Sequence, residues 1–241
     1  MSLAAEYVFP PAAPAAVPVQ GGGSFPVHRI YCVGRNYAEH AVEMGFSGRE
    51  APFFFMKPAD AVLPVPAGAT GQMHYPGLTT QLHHEVELVV ALGRGGRDIA
   101  AADATGCIYG YALGLDMTRR DLQTEMKKQG RPWCIGKAFE QSAPIGPIVP
   151  RAQTGTLTQG RISLAVNGQL RQQGDLQDLI WRIDEIIQEL SRAWTLQAGD
   201  LIFTGTPAGV AAVQPGDLMH AHLEGLPALQ VQVIEAPKEP A

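Results

Sequence analysis

Cysteine is scarce and unpatterned. The 241-residue chain has three, Cys32, Cys107 and Cys134, with no CxxC spacing among them. An odd, scattered set supports neither a disulfide framework nor a thiolate zinc site, so buried thiols in a reducing cytosol are expected. Long hydrophobic runs are also missing, and no apolar stretch approaches the roughly 20 residues a membrane-spanning helix needs. No basic segment leads into an apolar core near Met1, so no signal peptide is expected and the predicted location is cytoplasmic. Charge is low at 17% of residues, with a net value of -5, which argues against nucleic acid and anionic membrane as partners. What the chain does have is 27 glycines and 19 prolines. They punctuate short apolar segments, the habit of a turn-rich β architecture.

Residues 1–26 are rich in Pro and Ala and end in Gly21-Gly22-Gly23. They read as a disordered arm, although Tyr7-Val8-Phe9 and Val17-Pro18-Val19 have the make-up of short edge strands. Residues 27–241 are expected to form a single domain. Strands are predicted at Arg29–Val33, Phe53–Lys57, His83–Leu92, Ile108–Leu115, Ile162–Val166 and Leu201–Phe203. Asn167-Gly168 signals a hairpin, and Pro144 to Pro150 reads as a Pro-rich connection. Asn36 is placed to cap a short helix over 38–44. Thr118 and Asp121 resemble a capping box for a helix over 119–129. Leu176, Leu179, Ile180, Ile183, Ile186, Ile187, Leu190 and Trp194 recur at helical spacing, which predicts one helix over 176–194 capped by Asp175.

The chemistry gathers around His83-His84-Glu85-Val86-Glu87-Leu88. On a half-buried strand His83, Glu85 and Glu87 share one face, while His84, Val86 and Leu88 take the other. Two like charges side by side destabilise a sheet unless a third group offsets them. Asp116, at the end of the Ile108–Leu115 strand, is a third carboxylate, and an Asx turn or helix cap is the plainer use for it. Lys137 is flanked by Gly136 and Ala138 in an otherwise apolar stretch, and Lys57 ends another. His40 and Glu43, three residues apart on the expected helix, could pair to take a proton from water, though such pairs are commonly surface contacts. All-oxygen ligation without cysteine favours a hard cation, Mg2+ or Mn2+, with positions left for water and substrate. The Gly93–Arg97 loop lacks a following Lys-Ser/Thr and is no phosphate loop.

These blocks, in order, resemble the fumarylacetoacetate hydrolase family. They are Gly34-Arg35-Asn36-Tyr37 with His40 and Glu43, Phe55-Met56-Lys57-Pro58, His84 to Leu88, Asp116-Met117-Thr118 through Arg120 and Gln123, Gly136-Lys137, Val166-Asn167-Gly168 and Thr204-Gly205-Thr206-Pro207. The resemblance implies an α+β fold, a mixed β-roll or sandwich with few helices, and a homodimer. It implies a divalent metal held by Glu85, Glu87 and Asp116. His40, Glu43 and Lys137 become the catalytic expectation, and Arg35, Arg120, Gln123 and Thr206 the substrate-binding one. Within the family the chain is most similar to acylpyruvate hydrolases of the fumarylpyruvate type, acting on a small β-diketo acid in gentisate-type aromatic degradation. Oxaloacetate decarboxylation or tautomerisation, or isomerisation of a 2-hydroxy-dienedioate, is the rival chemistry on the same site. A non-catalytic binding protein is the rival of another class.

Overall fold

Two large sheets and two small two-stranded ones carry the fold. The computed structural model describes residues 7–37 and 49–236. In chain order the strands are β1 Ala16–Pro18, β2 Ser24–Pro26, β3 Ile30–Gly34, β4 Phe53–Lys57, β5 Val62–Pro64, β6 Thr70–His74, β7 Leu82–His83, β8 Val86–Leu92 and β9 Ile108–Leu115. They continue as β10 Thr118–Arg119, β11 Ala143–Ile145, β12 Val149–Pro150, β13 Arg161–Val166, β14 Gln169–Asp175, β15 Leu201–Phe203, β16 Leu218–Leu223 and β17 Leu229–Ile234. Among the described residues the α-helices are few: α1 Ala101–Ala104, α2 Arg120–Lys128, α3 Cys134–Lys137, α4 Arg151–Thr154 and α5 Ile183–Ala193. The eight-stranded central sheet runs β4-β3-β15-β8-β9-β11-β5, with β12 also paired to β9. The five-stranded outer sheet runs β14-β13-β16-β17-β6. Parallel and antiparallel pairs mix in both, so the α+β architecture is as expected.

Apolar residues on both faces make the central sheet an interior layer. On β8, Val86, Leu88, Val90 and Leu92 enter the main core, and Val89 and Ala91 enter a second core on the other side. The half-buried strand expected here is thus buried throughout. Gly114, facing Glu87 across the β8–β9 pair, must lack a side chain because a Cβ would stand 2.6 Å from Phe203. The outer sheet buries one face and keeps the expected hairpin: Asn167 and Gly168 both have positive φ, at 51° and 77°.

Several expectations change for identifiable reasons. Residues 16–26 are not disordered; β1 pairs with β2, and Val17 and Phe25 are buried in the second core. Two short strands, β11 and β12, occupy the proline-rich connection. The long helix is broken: Leu176–Asp178 is a single 3-10 turn capped by Asp175, and α5 starts only at Ile183. Asn36 explains the break. Its carbonyl accepts from Ile180 N (2.9 Å) and its Oδ1 from Trp181 N (2.7 Å), which removes donors a continuous helix would use. The 38–44 helix lies outside the described residues. The capping box at Thr118 is absent as well. Thr118 donates to Asp116 O, while Asp121 reaches back to Thr79 Oγ1 and Thr80 N. Cys32 and Cys107 are buried as expected, but Cys134 is exposed.

Candidate functional site

The expected strand from His83 to Leu92 is interrupted, and the interruption builds the site. His83 pairs with Thr118 across β7 and β10, whereas His84 turns fully inward. There His84 Nδ1 lies 2.8 Å from Gln172 Oε1, which also accepts from Val86 N at 3.1 Å. An amide oxygen only accepts, so Nδ1 carries the His84 proton. Gln172 Nε2 donates to Thr206 Oγ1 and Pro207 O, both at 2.8 Å. One buried amide therefore fastens the turn before β8 to the loop after β15. The same loop returns two contacts: Thr206 Oγ1 donates to Val86 O (2.9 Å) and Gly205 N to Glu87 Oε2 (2.7 Å).

That frame brings the three predicted carboxylates together. Glu85 sits in the turn, and its carbonyl accepts from Asp116 N at 2.8 Å. Glu87 lies on β8 opposite Gly114, and Asp116 follows the end of β9. All three are buried, and one oxygen from each lies within 4.8 Å of the others. Burial first, then Asp116 and Glu85, pushes the Glu87 carboxyl well above its ordinary pKa, against the opposing Gly205 N–H. His83, expected on the same face, does not join the cluster.

Three cations close over this negative charge. Lys137, ending α3, donates to Glu85 Oε2 (2.8 Å) and Asp116 Oδ2 (2.6 Å). Burial alone would lower its pKa, but Asp116 and Glu85 outweigh burial and hold it above the usual lysine value. It is thus a fixed cation rather than a base. Arg120 pairs with Glu85 and donates to Gln123 Oε1 at 2.5 Å. Lys57 Nζ stands 2.8 Å from Asp116 Oδ1, as a charge contact rather than a hydrogen bond. Sequence marked Lys57 as unusual without placing it here; Gln172, 86 residues from Val86, left no local signal at all. On α2, Lys127 and Lys128 are exposed, whereas Arg120 turns inward.

Arg35, Glu85, Glu87, Arg120, Gln123, Lys137 and Thr206 line one cleft. Gly136 permits this closeness, since a Cβ there would lie 2.9 Å from Gln123 N. The Thr206 hydroxyl proton is directed at Val86 O, so that group acts as a strut between strands rather than as a donor into the cleft. His40 and Glu43 lie outside the described residues. The donor set fits a hard divalent cation. Three carboxylates supply oxygen alone, and Asp116 Oδ1 is a buried acceptor that, among the described residues, has the Lys57 charge beside it but no hydrogen-bond partner. A divalent charge added to three carboxylates and four cations, Lys57, Lys137, Arg120 and Arg35, would leave the cleft positive and attractive to a dianion.

Known proteins show where this chain belongs. The family model described as fumarylacetoacetate hydrolase C-terminal matches residues 29–234. A fumarylpyruvate hydrolase from Pseudomonas aeruginosa, solved in complex with Mn2+ and pyruvate, is 52% identical with a TM-score of 0.94, covering 96% of this chain and 100% of that one. The mitochondrial oxaloacetate tautomerase FAHD1 of Rattus norvegicus is 44% identical over 204 residues, 85% of this chain and 90% of its own. The mitochondrial oxaloacetate decarboxylase of Dictyostelium discoideum is 39% identical over 198 residues, 82% of this chain and 89% of its own. The two-sheet fold, the buried carboxylates and a match across most of the chain have one explanation: the protein belongs to the fumarylacetoacetate hydrolase family, whose members include enzymes of small keto acids.

Proposed function

We propose that the protein is a metal-dependent acylpyruvate hydrolase that splits fumarylpyruvate into fumarate and pyruvate. The observation that carries this reading is the buried Glu85–Glu87–Asp116 cluster with Lys137 bonded to two of its members. In this reading Glu85, Glu87 and Asp116 hold Mg2+ or Mn2+. When bound, the ion supplies Lewis acidity to the α-keto-acid end of the substrate. Glu43 orients His40, which takes a proton from water. The water oxygen bonds to the distal carbonyl carbon, the C–C bond to the methylene breaks, and its electron pair stays on the pyruvate fragment, which then takes a proton. Lys137, held charged by its two carboxylate neighbours, opposes the negative charge that develops. Arg35, Arg120 and Gln123 orient the anionic ends, and Thr206 supports the cleft floor. A homodimer and a cytoplasmic location complete the reading, the first on the family resemblance and the second on the thiols.

Oxaloacetate tautomerisation or decarboxylation is the second reading, favoured by the 44% and 39% identity to enzymes of those names. Both chemistries use the same charges but differ in whether water is consumed. Loss of enol absorbance from fumarylpyruvate and from oxaloacetate, with product identification, separates them. The hydrolase reading requires stoichiometric fumarate and pyruvate, abolished by EDTA and by His40→Ala. Full turnover after complete metal removal, or turnover of oxaloacetate alone, would overturn it.

A further inference from the structure

Facing the carboxylates across the cleft is a wall the mechanism leaves unused. On β4, Phe54 and Met56 point into the main core, so alternation sends Phe53 and Phe55 to the other side. Both line the cleft with Glu85, Glu87 and Lys137, and Trp133, just before α3, joins them. Trp133 meets Phe53 edge-on at 5.3 Å and Phe55 at 5.8 Å between ring centroids. All three are only half-buried. The wall has two charged ends: Lys137 Nζ lies 5.0 Å from the Phe55 ring, and the Arg35 guanidinium lies 4.7 Å over Phe53. Read back from Lys57, which contacts Asp116, β4 passes Phe55 near Lys137 and then Phe53 under Arg35.

Phe55 also packs against the second core, but the outer end of the wall is fixed by the backbone around it. The Phe53 ring lies directly on Gly34, its strand partner, where a Cβ would come within 2.0 Å of the ring. Arg35 adopts φ 55°, a left-handed conformation that costs a non-glycine residue energy and that marks functional positions more often than others. Glycine under the ring and a strained arginine beside it together set the outer end of the cleft.

We propose that Phe53, Phe55 and Trp133 form a subsite for the acyl half of the substrate, selecting an extended, planar, unsaturated chain whose terminal carboxylate meets Arg35. The proposal rests on the acylpyruvate reading and deepens it. Phe53 and Phe55 stand one strand repeat apart, roughly 7 Å, so a four-carbon unsaturated diacyl chain can lie along both rings while its pyruvate end stays at the carboxylate cluster. Flat rings offer a conjugated chain more contact than a saturated, bent one. Oxaloacetate carries its second carboxylate directly on the methylene and leaves the wall untouched; acetylpyruvate reaches only its inner edge.

The test is the ratio of kcat/KM for fumarylpyruvate to kcat/KM for acetylpyruvate, measured in one preparation so that the folded fraction cancels. Phe53→Ala and Trp133→Ala are expected to lower this ratio about tenfold, and Gly34→Ala, which displaces the ring without removing it, is expected to lower it as well. An unchanged ratio overturns the subsite even if both activities fall. If the wild type cleaves no acylpyruvate, the hydrolase reading fails by itself. The subsite is then judged by tryptophan fluorescence: quenching by fumarate that Trp133→Phe abolishes supports it, and quenching that survives that substitution, or no quenching, overturns it.

Discussion

The outer sheet buries alternate residues, β13, β16 and β17 each turning one face inward and the other toward solvent. The central sheet buries all seven residues of β8 and seven of eight on β9. A charge on the outer sheet can rotate into water at little cost. A charge on the central sheet has nowhere to turn and must be neutralised where it stands. Glu87 and Asp116, with Glu85 beside them, therefore burden the fold; Lys57, Lys137 and the Gly205 N–H answer the first two and Arg120 answers Glu85. The outer sheet supplies packing, and the central one trades stability for a charged cluster.

The strongest way to break this contrast is to neutralise one central charge. A carboxyl whose folded pKa is raised costs stability as the pH climbs above its ordinary value, where the unfolded chain ionises first, and Glu87 is such a group. Glu87→Gln keeps an acceptor for Gly205 N and removes the charge. Turnover should fall about a thousandfold and calorimetric Mn2+ affinity at least about 100-fold. The metal-free protein should gain about 1 kcal/mol in urea unfolding. Loss of stability in EDTA would mean that the cluster supports the fold after all.

Next in size is the tie between the sheets. Gln172 is an outer-sheet residue on β14, but its buried side chain serves the central site. Gln172→Leu conserves volume and deprives His84 Nδ1, Val86 N, Thr206 Oγ1 and Pro207 O of a partner. A loss of about 2–4 kcal/mol is expected, with metal affinity about tenfold weaker. Intact metal binding beside the full stability loss would confine Gln172 to packing.

The contrast also accounts for what could be read from the sequence. Alternation exposes the outer strands, Asn167-Gly168 announces its hairpin, and the ordered blocks around Glu85, Glu87, Asp116 and Lys137 identify the family. These are local signals. The break between β7 and β8, the shortened α5 and the approach of Lys57 to Asp116 depend on partners far along the chain. Asn36 acts on Trp181 across 145 positions and Gln172 on His84 across 88; neither leaves a periodicity behind. Phe53 and Phe55 look like ordinary core residues in sequence because the strand that carries them is apolar on both faces. Their place beside Glu85, Glu87 and Lys137 in the lining of one cleft shows that one face of the strand is not core.

On the purely structural side of the contrast, Asn167→Ala places a residue with a Cβ but no local hydrogen bonding at φ 51°. It also removes the contacts to Asp217 Oδ1 and Leu218 N. Stability should fall by about 1–2 kcal/mol with kcat/KM within twofold of wild type. A large drop in turnover would show the outer sheet to be coupled to the site through more than Gln172.

The smallest effect sharpens the contrast through pH. His83 lies at the edge of the cluster, half-buried, and burial, followed by the Arg120 charge, lowers its pKa from 6.5 to about 4. The unfolded chain therefore takes up this proton first, and stability is lost as the pH falls through the window from about 6.5 to about 4. Glu87 acts in the opposite sense, since acidification through its raised pKa relieves a penalty. The raw slope mixes both groups and also His84, whose pKa is lowered by burial. The difference between wild type and His83→Gln isolates one ring. Urea unfolding in EDTA at pH 7.5 and pH 5 should show the wild type losing about 1 kcal/mol relative to the variant on acidification, a value reduced for the water that reaches a half-exposed ring. Equal losses in the two proteins would mean that His83 is solvated in both states, and that the low-dielectric region of the central sheet ends at Glu85 rather than one residue pair earlier.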